Sequence, residues 1–318
     1  MVKSQNIYIS KKEVNDNMDN TQYQTINNKY SCRVCQSADV RLVKKSNITK
    51  SLKSDDFKIT DDRYGVTFSV YECTSCGFLQ CLDAPDTTVY YEALEDPEYE
   101  LSRNERMHQA KKILDKILKE VGGSAEGVRL LDVGAGSGIL LEMAKKMGFD
   151  AEGVEPSCWL RKAANAHGCK VRADVLPHSE IVGPYGIVTL IDVLEHVKDP
   201  LSTLQHSVNV LGSGGVAVVV TPDVKSVASR LMGWKWWHYR IAHVGYFSRS
   251  NLEDMVALVG LKIISVSRPS WAFSFAYLRE RLLRYLPGFM VPRERSWMHN
   301  VSINLNLRDS LMIIAQLP

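Results

Sequence analysis

The stretch Leu130-Leu131-Asp132-Val133-Gly134-Ala135-Gly136-Ser137-Gly138 decides the fold of this 318-residue chain. An apolar run closed by an acidic residue reads as a buried strand. Three glycines at alternate positions then let the backbone turn sharply and approach a ligand with no Cβ in the way. Apolar helical spacing resumes at Ile139 and runs to Met147, so the turn opens a helix whose free N–H groups face whatever lies over the glycines.

Outward from this turn, strand and helix signals alternate. Strands are expected at 128–133, 151–155, 170–172, 186–192 and 216–221, with helices at 139–147, 157–167 and 201–211 between them. Alternation of this kind predicts an α/β fold, a parallel sheet with helices on both faces. A helix at 249–259 and strands at 262–266 and 302–315, the last broken near 308–310, bring the strand count to seven. The final two strands lack a helix-length crossover, so an antiparallel edge pair is expected.

Glu155 ends the strand after the glycine turn, where an acidic side chain accepts hydrogen bonds from ribose hydroxyls. Alone, this fits a nicotinamide cofactor as well as a methyl donor. The spacing G-x-G-x-G, Asp174 after the third strand, and Ile191-Asp192-Val193-Leu194-Glu195-His196-Val197 at the fourth narrow it. Together with Gly153-Val154-Glu155-Pro156-Ser157 and the strand ending Thr221-Pro222, these stretches resemble class I S-adenosylmethionine-dependent methyltransferases over residues 101–267. The resemblance implies a Rossmann-like seven-stranded sheet and S-adenosylmethionine as cofactor. By it, Asp132, Gly134 and Gly136 lie along the methionine part, Glu155 at the ribose, Asp174 at the adenine and Asp192 near the methyl-transfer end.

Composition is that of an ordinary globular protein, 45% hydrophobic and 24% charged. A net charge of +3 with no dense Lys/Arg stripe speaks against a nucleic-acid partner. Residues 1–29 are polar and without periodicity, expected to be a disordered tail, and with no leader or bilayer-length apolar run the expected location is cytoplasmic.

Four of the seven cysteines form two tight pairs, Cys32-x-x-Cys35 and Cys73-x-x-Cys76-Gly77. Each pair offers half of a tetrahedral zinc site, so residues 30–85 are expected to be a small zinc-binding module whose metal is structural, with Cys81 as a substitute ligand. An acidic, tyrosine-bearing linker, residues 86–100, leads to a helix with apolar spacing from Met107 to Leu118 and then to the main domain, 101–318.

If the acceptor is a hydroxyl or a carbon acid, a general base is needed, and His243 and His196 are the candidates, His243 being preferred because that late loop roofs the acceptor pocket in the family resembled. Asp192, Glu195 and His196 also resemble the Glu-x-x-Glu-His metal group of ubiquinone-type and RNA-terminal O-methyltransferases. Lid elements are expected at 222–248 and 269–300. The first carries Trp234, Trp236, Trp237, His238, Tyr239 and Arg240, suited to stacking on a ring or to burial as a lid. The second reads over 272–288 as an amphipathic helix suited to capping the domain or to peripheral membrane contact. An N-terminal cysteine module on such a domain is similar to bacterial sugar and natural-product methyltransferases. The expected acceptor is therefore a small molecule: a sugar, sugar nucleotide, glycolipid or natural-product intermediate. RNA modification and a non-catalytic adapter are the alternatives.

Overall fold

The computed structural model describes residues 30–318, and the tail expected over residues 1–29 lies outside them. Three strands come first: β1 (Val40–Lys44), β2 (Val70–Cys73) and β3 (Leu79–Gln80). β1 and β2 are antiparallel, and Arg41 faces Glu72, with which it forms an ion pair at 2.7 Å. β2 starts only at Val70, because Thr67 and Ser69 give their polar groups to a neighbouring loop. The Thr67 N–H donates to Asn47 Oδ1 at 3.0 Å, and Ser69 Oγ accepts from the Ser46 N–H at 3.3 Å.

The linker folds into α1 (Thr88–Glu92) and α2 (Pro97–Leu101). Asp96 caps α2, its carboxylate accepting from the Tyr99 N–H at 3.2 Å, and Pro97 occupies the first turn, where its missing N–H costs nothing. α3 (Arg103–Val121) buries Ala110, Ile113, Leu114 and Ile117 on one stripe and stops at Gly122, as the spacing predicts.

The expected alternation follows: β4 (Arg129–Val133), α4 (Ile139–Lys146), β5 (Asp150–Glu155), α5 (Cys158–Ala166), β6 (Lys170–Ala173), β7 (Tyr185–Ile191), α6 (Pro200–Asn209) and β8 (Leu211–Pro222). A long segment with α7 (Val227–Met232) and β9 (Gly245–Tyr246) leads to α8 (Arg249–Leu258) and β10 (Lys262–Ser267). Then come β11 (Trp271–Ser274), α9 (Phe275–Leu282), α10 (Trp297–Asn300), β12 (Ser302–Leu305) and β13 (Ser310–Gln316).

The large sheet has seven strands in the order β10-β13-β8-β7-β4-β5-β6. β8 to β6 are parallel, and β13 runs antiparallel to both its neighbours. The expected antiparallel edge pair is found as β10 with β13. The strand expected over 302–315 is corrected, because Ser302–Leu305 pairs with β11 outside the large sheet and only Ser310–Gln316 enters it, as β13. Its run from Leu311 to Ala315 is buried throughout, while the residues of β10 are at most half-buried, as suits an edge.

The helix expected over 272–288 is also corrected. Residues 272–274 belong to β11, which pairs with β12, and the helix spans only Phe275–Leu282. Alternating Trp271 and Phe273 favour the strand.

The cysteine-bearing strands form a second sheet, β1-β2-β3-β9, whose last strand comes from the long segment after β8. Cys32, Val34, Val40, Cys73 and Phe78 share one apolar cluster with Val188, Leu190, Phe247 and Met255. Among the described residues no helix is long and apolar enough to cross a membrane.

Candidate active site

The glycine turn lies at the carboxyl ends of the parallel strands, where open α/β sheets bind ligands. Gly134 has φ +73°, and a Cβ there would lie 2.8 Å from Val193 Cγ2. Gly136 has φ +54°, and a Cβ there would meet Tyr99 alone, its hydroxyl at 3.6 Å. Gly134 is thus required by the close approach of the chain after β7, and Gly136 by its positive φ, beneath the ring of Tyr99.

Glu155, buried at the end of β5, fixes this turn. One carboxylate oxygen accepts from the Gly136 N–H at 2.9 Å and the other from the Ser157 N–H at 2.8 Å. Burial pushes its carboxyl upward against the pull of these donors. Asp132 lies beneath the turn, accepting from Thr189 Oγ1 at 2.6 Å, and burial raises it to about 7.

Asp174 follows β6 and Asp192 follows β7, both in the left-handed region at φ +88° and +52°. Non-glycine residues rarely adopt it. Asp174 is exposed and accepts from the Val175 N–H at 2.8 Å. Asp192 is reachable by solvent yet surrounded by protein, and this dehydration raises it to about 7 against the pull of Arg106. All four predicted acidic residues therefore stand at the ends of adjacent strands, β7, β4, β5 and β6.

Four carboxylates at adjacent strand ends, Asp132 and Glu155 buried and Asp174 and Asp192 exposed, beside a turn without Cβ atoms at Gly134 and Gly136, fit a ligand with hydroxyl and ammonium donors, as S-adenosylmethionine has.

Sequence reasoning gave no role to the linker, yet it supplies two site residues. Tyr99 covers Gly136 and carries the Arg106 guanidinium on its ring, 4.0 Å from the centroid. Tyr91 reaches His196, its hydroxyl 2.7 Å from Nδ1. The tyrosines were visible, and only the Asp96-Pro97 capping signal marked the linker as folded.

His196, His243 and Glu195 come together although the histidines are 47 positions apart, one ligating atom of each lying within 4.8 Å of the others. The His196 ring meets His243 edge-on at 4.7 Å, and His238 stacks behind His243 at 5.6 Å. His243 is buried, whereas His196 is only half-buried. Burial, aided by the Arg240 charge, lowers His196 to about 3, and burial likewise depresses His243, so both are neutral near pH 7.

His196 Nδ1 is 3.0 Å from the Ala242 carbonyl. A carbonyl only accepts, so Nδ1 carries the proton and Nε2 keeps its lone pair. The Tyr91 hydroxyl donates to the same carbonyl at 3.3 Å.

Glu195 is 1% exposed. Its Oε2 accepts from Thr221 Oγ1 at 2.8 Å, while Oε1 is buried with no hydrogen-bond partner. Burial and the nearby Asp192 push its carboxyl well above the usual range. The ligand-like group is thus Glu195, His196 and His243, with Asp192 outside it.

The cysteine-bearing sheet braces this cluster. The Glu195 carbonyl accepts from the Val244 N–H at 2.7 Å, and the Val244 carbonyl accepts from the Cys81 N–H at 2.8 Å. The aromatic segment 234–240 serves the same junction. Trp236 and Tyr239 are buried with Phe57, Phe68 and Val70, so burial rather than ring stacking accounts for these two.

Cys32 and Cys76 sulfurs lie 3.6 Å apart and Cys35 and Cys73 sulfurs 3.5 Å apart, with all four within 4.8 Å of one another. Four thiolates at about 2.3 Å from a tetrahedral zinc ion stand about 3.8 Å apart, so the cluster fits that ion. Cys81 is not part of it. Its sulfur sits 3.9 Å from the His243 carbonyl, and burial raises the thiol to about 12.

A seven-stranded sheet of this order, with a glycine turn and acidic residues at adjacent strand ends, defines a class of α/β domain that binds its cofactor across the turn. The chain belongs to the methyltransferase domain family, whose sequence model matches residues 103–266, within the S-adenosylmethionine-dependent methyltransferases. It is 34% identical over 128 residues to a ubiquinone biosynthesis O-methyltransferase of Bordetella avium (strain 197N), covering 38% of this chain and 52% of the relative. Against one from Psychrobacter cryohalolentis the identity is 33% over 105 residues, 30% of this chain and 41% of the relative. The chain thus spans about half the length, or less, of these curated relatives. Among solved structures it is similar to a magnesium protoporphyrin IX methyltransferase of Synechocystis PCC 6803 with bound S-adenosylmethionine. That match has a TM-score of 0.48 and 11% identity and covers 74% of this chain and 98% of that one.

Proposed function

We propose that the chain transfers the methyl group of S-adenosylmethionine to a hydroxyl oxygen of a small-molecule acceptor. The observation that carries this is the 3.0 Å contact of His196 Nδ1 with the Ala242 carbonyl, from which we place the ring proton on Nδ1 and the lone pair on Nε2, beside the end of β7. When bound, the cofactor supplies an electrophilic methyl group on a sulfonium centre.

Gly134, Gly136 and Glu155 hold the cofactor's amino-acid and ribose parts, Asp174 its adenine end, and Asp192 the approach to the methyl group. His196 Nε2 takes the acceptor's proton as the new O–C bond forms and the hydroxyl turns acidic, the timing that its depressed basicity requires, and the Ala242 carbonyl keeps the ring oriented as it charges. His243 backs His196 from the buried side. Cys32, Cys35, Cys73 and Cys76 hold a structural zinc ion that stiffens the sheet against segment 242–247.

The similarity to ubiquinone biosynthesis O-methyltransferases supports an oxygen acceptor on a small molecule. A sugar, sugar nucleotide, glycolipid or natural-product intermediate is the acceptor class we assign, and the low net charge argues against RNA. Labelled S-adenosylmethionine offered to His196→Gln tests the role of the histidine. Lost transfer with retained cofactor binding is expected, and unchanged transfer would overturn it.

A second reading is favoured by the unpartnered Glu195 Oε1 beside His196 and His243. These three would hold a divalent cation supplying positive charge beside the acceptor oxygen. Activity lost to a chelator and restored by added Mg²⁺, Mn²⁺ or Zn²⁺ supports this reading. Full activity in protein shown by elemental analysis to carry metal only at the cysteines refutes it.

A further inference from the structure

Between β10 and β13 the chain leaves the large sheet and returns after about 40 residues, carrying the β11-β12 ribbon and α9. Arg281 of α9 and Arg284 just after it reach the cysteine-bearing module, while Arg279 ties the excursion to itself. Arg281 donates to the Thr60 carbonyl at 3.0 Å, Arg284 pairs with Asp62, and Arg279 donates to the Pro292 carbonyl at 2.7 Å. Tyr285 stacks on Tyr64, and its hydroxyl donates to the Lys235 carbonyl at 3.3 Å. The excursion is therefore pinned next to the segment that leads to His243.

The part beyond this anchorage is exposed and apolar. Phe289 is 89% exposed and Met290 58%, Leu286 is 37% exposed, and Trp297 is 46% exposed with its ring edge-on to Phe275 at 5.5 Å. Exposed Arg293 and Arg295 lie between Met290 and Trp297 in the chain, with Glu294 as the acidic residue of that stretch, paired to Arg279. Scattered apolar residues on a surface need no explanation, but adjacent exposed Phe289 and Met290, followed in the chain by two exposed arginines and a half-exposed tryptophan, do.

We propose that segment 286–297 docks on an anionic lipid bilayer. Phe289 and Met290 enter the boundary between headgroups and acyl chains, Trp297 lies at headgroup level, and Arg293 and Arg295 face lipid phosphates. A bilayer fits better than a second copy of the chain, since an isologous contact would press the same arginines together. The docking stands apart from the choice of acceptor, although it brings the segment before His243 close to the lipid surface.

The full chain is sedimented with vesicles of phosphatidylcholine alone and of phosphatidylcholine mixed with phosphatidylglycerol. Sedimentation with the mixed vesicles, weakening as salt rises, is expected. Phe289→Asp with Met290→Asp should abolish it, and Arg293→Gln with Arg295→Gln should weaken it about thirtyfold. Calorimetric affinity for S-adenosylmethionine, unchanged in both variants, shows that they fold. No sedimentation with either vesicle, or equal sedimentation of the wild type and the Asp variant, would overturn the proposal. So would a wild-type dimer that the Asp variant dissociates.

Discussion

The Tyr91 hydroxyl lies 2.7 Å from His196 Nδ1, joining a helix of the linker to the loop after β7. Both groups also meet the Ala242 carbonyl, so three separate parts of the chain fix one imidazole. Tyr91→Phe removes the hydroxyl and leaves the carbonyl. We expect kcat/KM to fall about tenfold, the size of one neutral hydrogen bond, with cofactor affinity unchanged. Steady-state kinetics beside calorimetry will separate the two, and a loss of cofactor affinity instead would refute the assignment.

Glu155→Gln tests the turn. The amide keeps one acceptor oxygen for the two N–H groups of Gly136 and Ser157, and its NH₂ faces the other donor. S-adenosylmethionine binding should weaken by about tenfold or more, since a buried donor left unpaired costs roughly 1–3 kcal/mol. Calorimetric titration measures this, and undiminished affinity would remove Glu155 from the cofactor site.

Acid should expose the cost of the buried histidines. His196 and His243 both have folded-state pKa values below that of the unfolded chain, so the unfolded state binds more protons as pH falls. Their contribution to stability is full above about pH 6.5 and is lost progressively as pH drops toward the folded value of about 3 for His196. Asp132, raised to about 7, opposes this, because its contribution is full below about pH 4 and lost as pH rises through 7. The clean readout is therefore a difference: the drop in Tm between pH 7.5 and 5 should be smaller in His243→Asn than in the wild type. An equal or larger drop would contradict the buried, neutral ring.

The chain should carry one zinc ion per molecule, and stripping it should reach the active site. The cysteine-bearing sheet shares its core with Phe247 and Met255 and contacts the Val244 backbone. Chelation, or Cys73→Ser, should lower Tm by several degrees and increase proteolysis within 234–247, read by mass spectrometry. Absence of zinc from the purified protein by elemental analysis would contradict the site.

Much of the fold was legible because the signal was local. The run Leu130 to Val133 and the glycines after it announce a buried strand and a tight turn without outside help. The place of β13 was not legible, since an apolar run does not say which neighbours it inserts between. Ala272 to Ser274 read as helix because the partner of this strand, Ser302–Leu305, lies some 30 residues on and pairing is non-local. In the site, the acidic residues at strand ends were legible from spacing. Tyr91, Tyr99 and the meeting of His196 with His243 were not, because tertiary packing alone joins 91, 196 and 243.

The most direct test of the account is methyl transfer by the purified full chain. It is given S-adenosylmethionine with a tritiated methyl group and, in separate reactions, nucleotide sugars, a lipid extract and total RNA. The account predicts label in a small-molecule or lipid fraction, dependent on His196. Label in RNA alone, or no measurable binding of the cofactor, would contradict it.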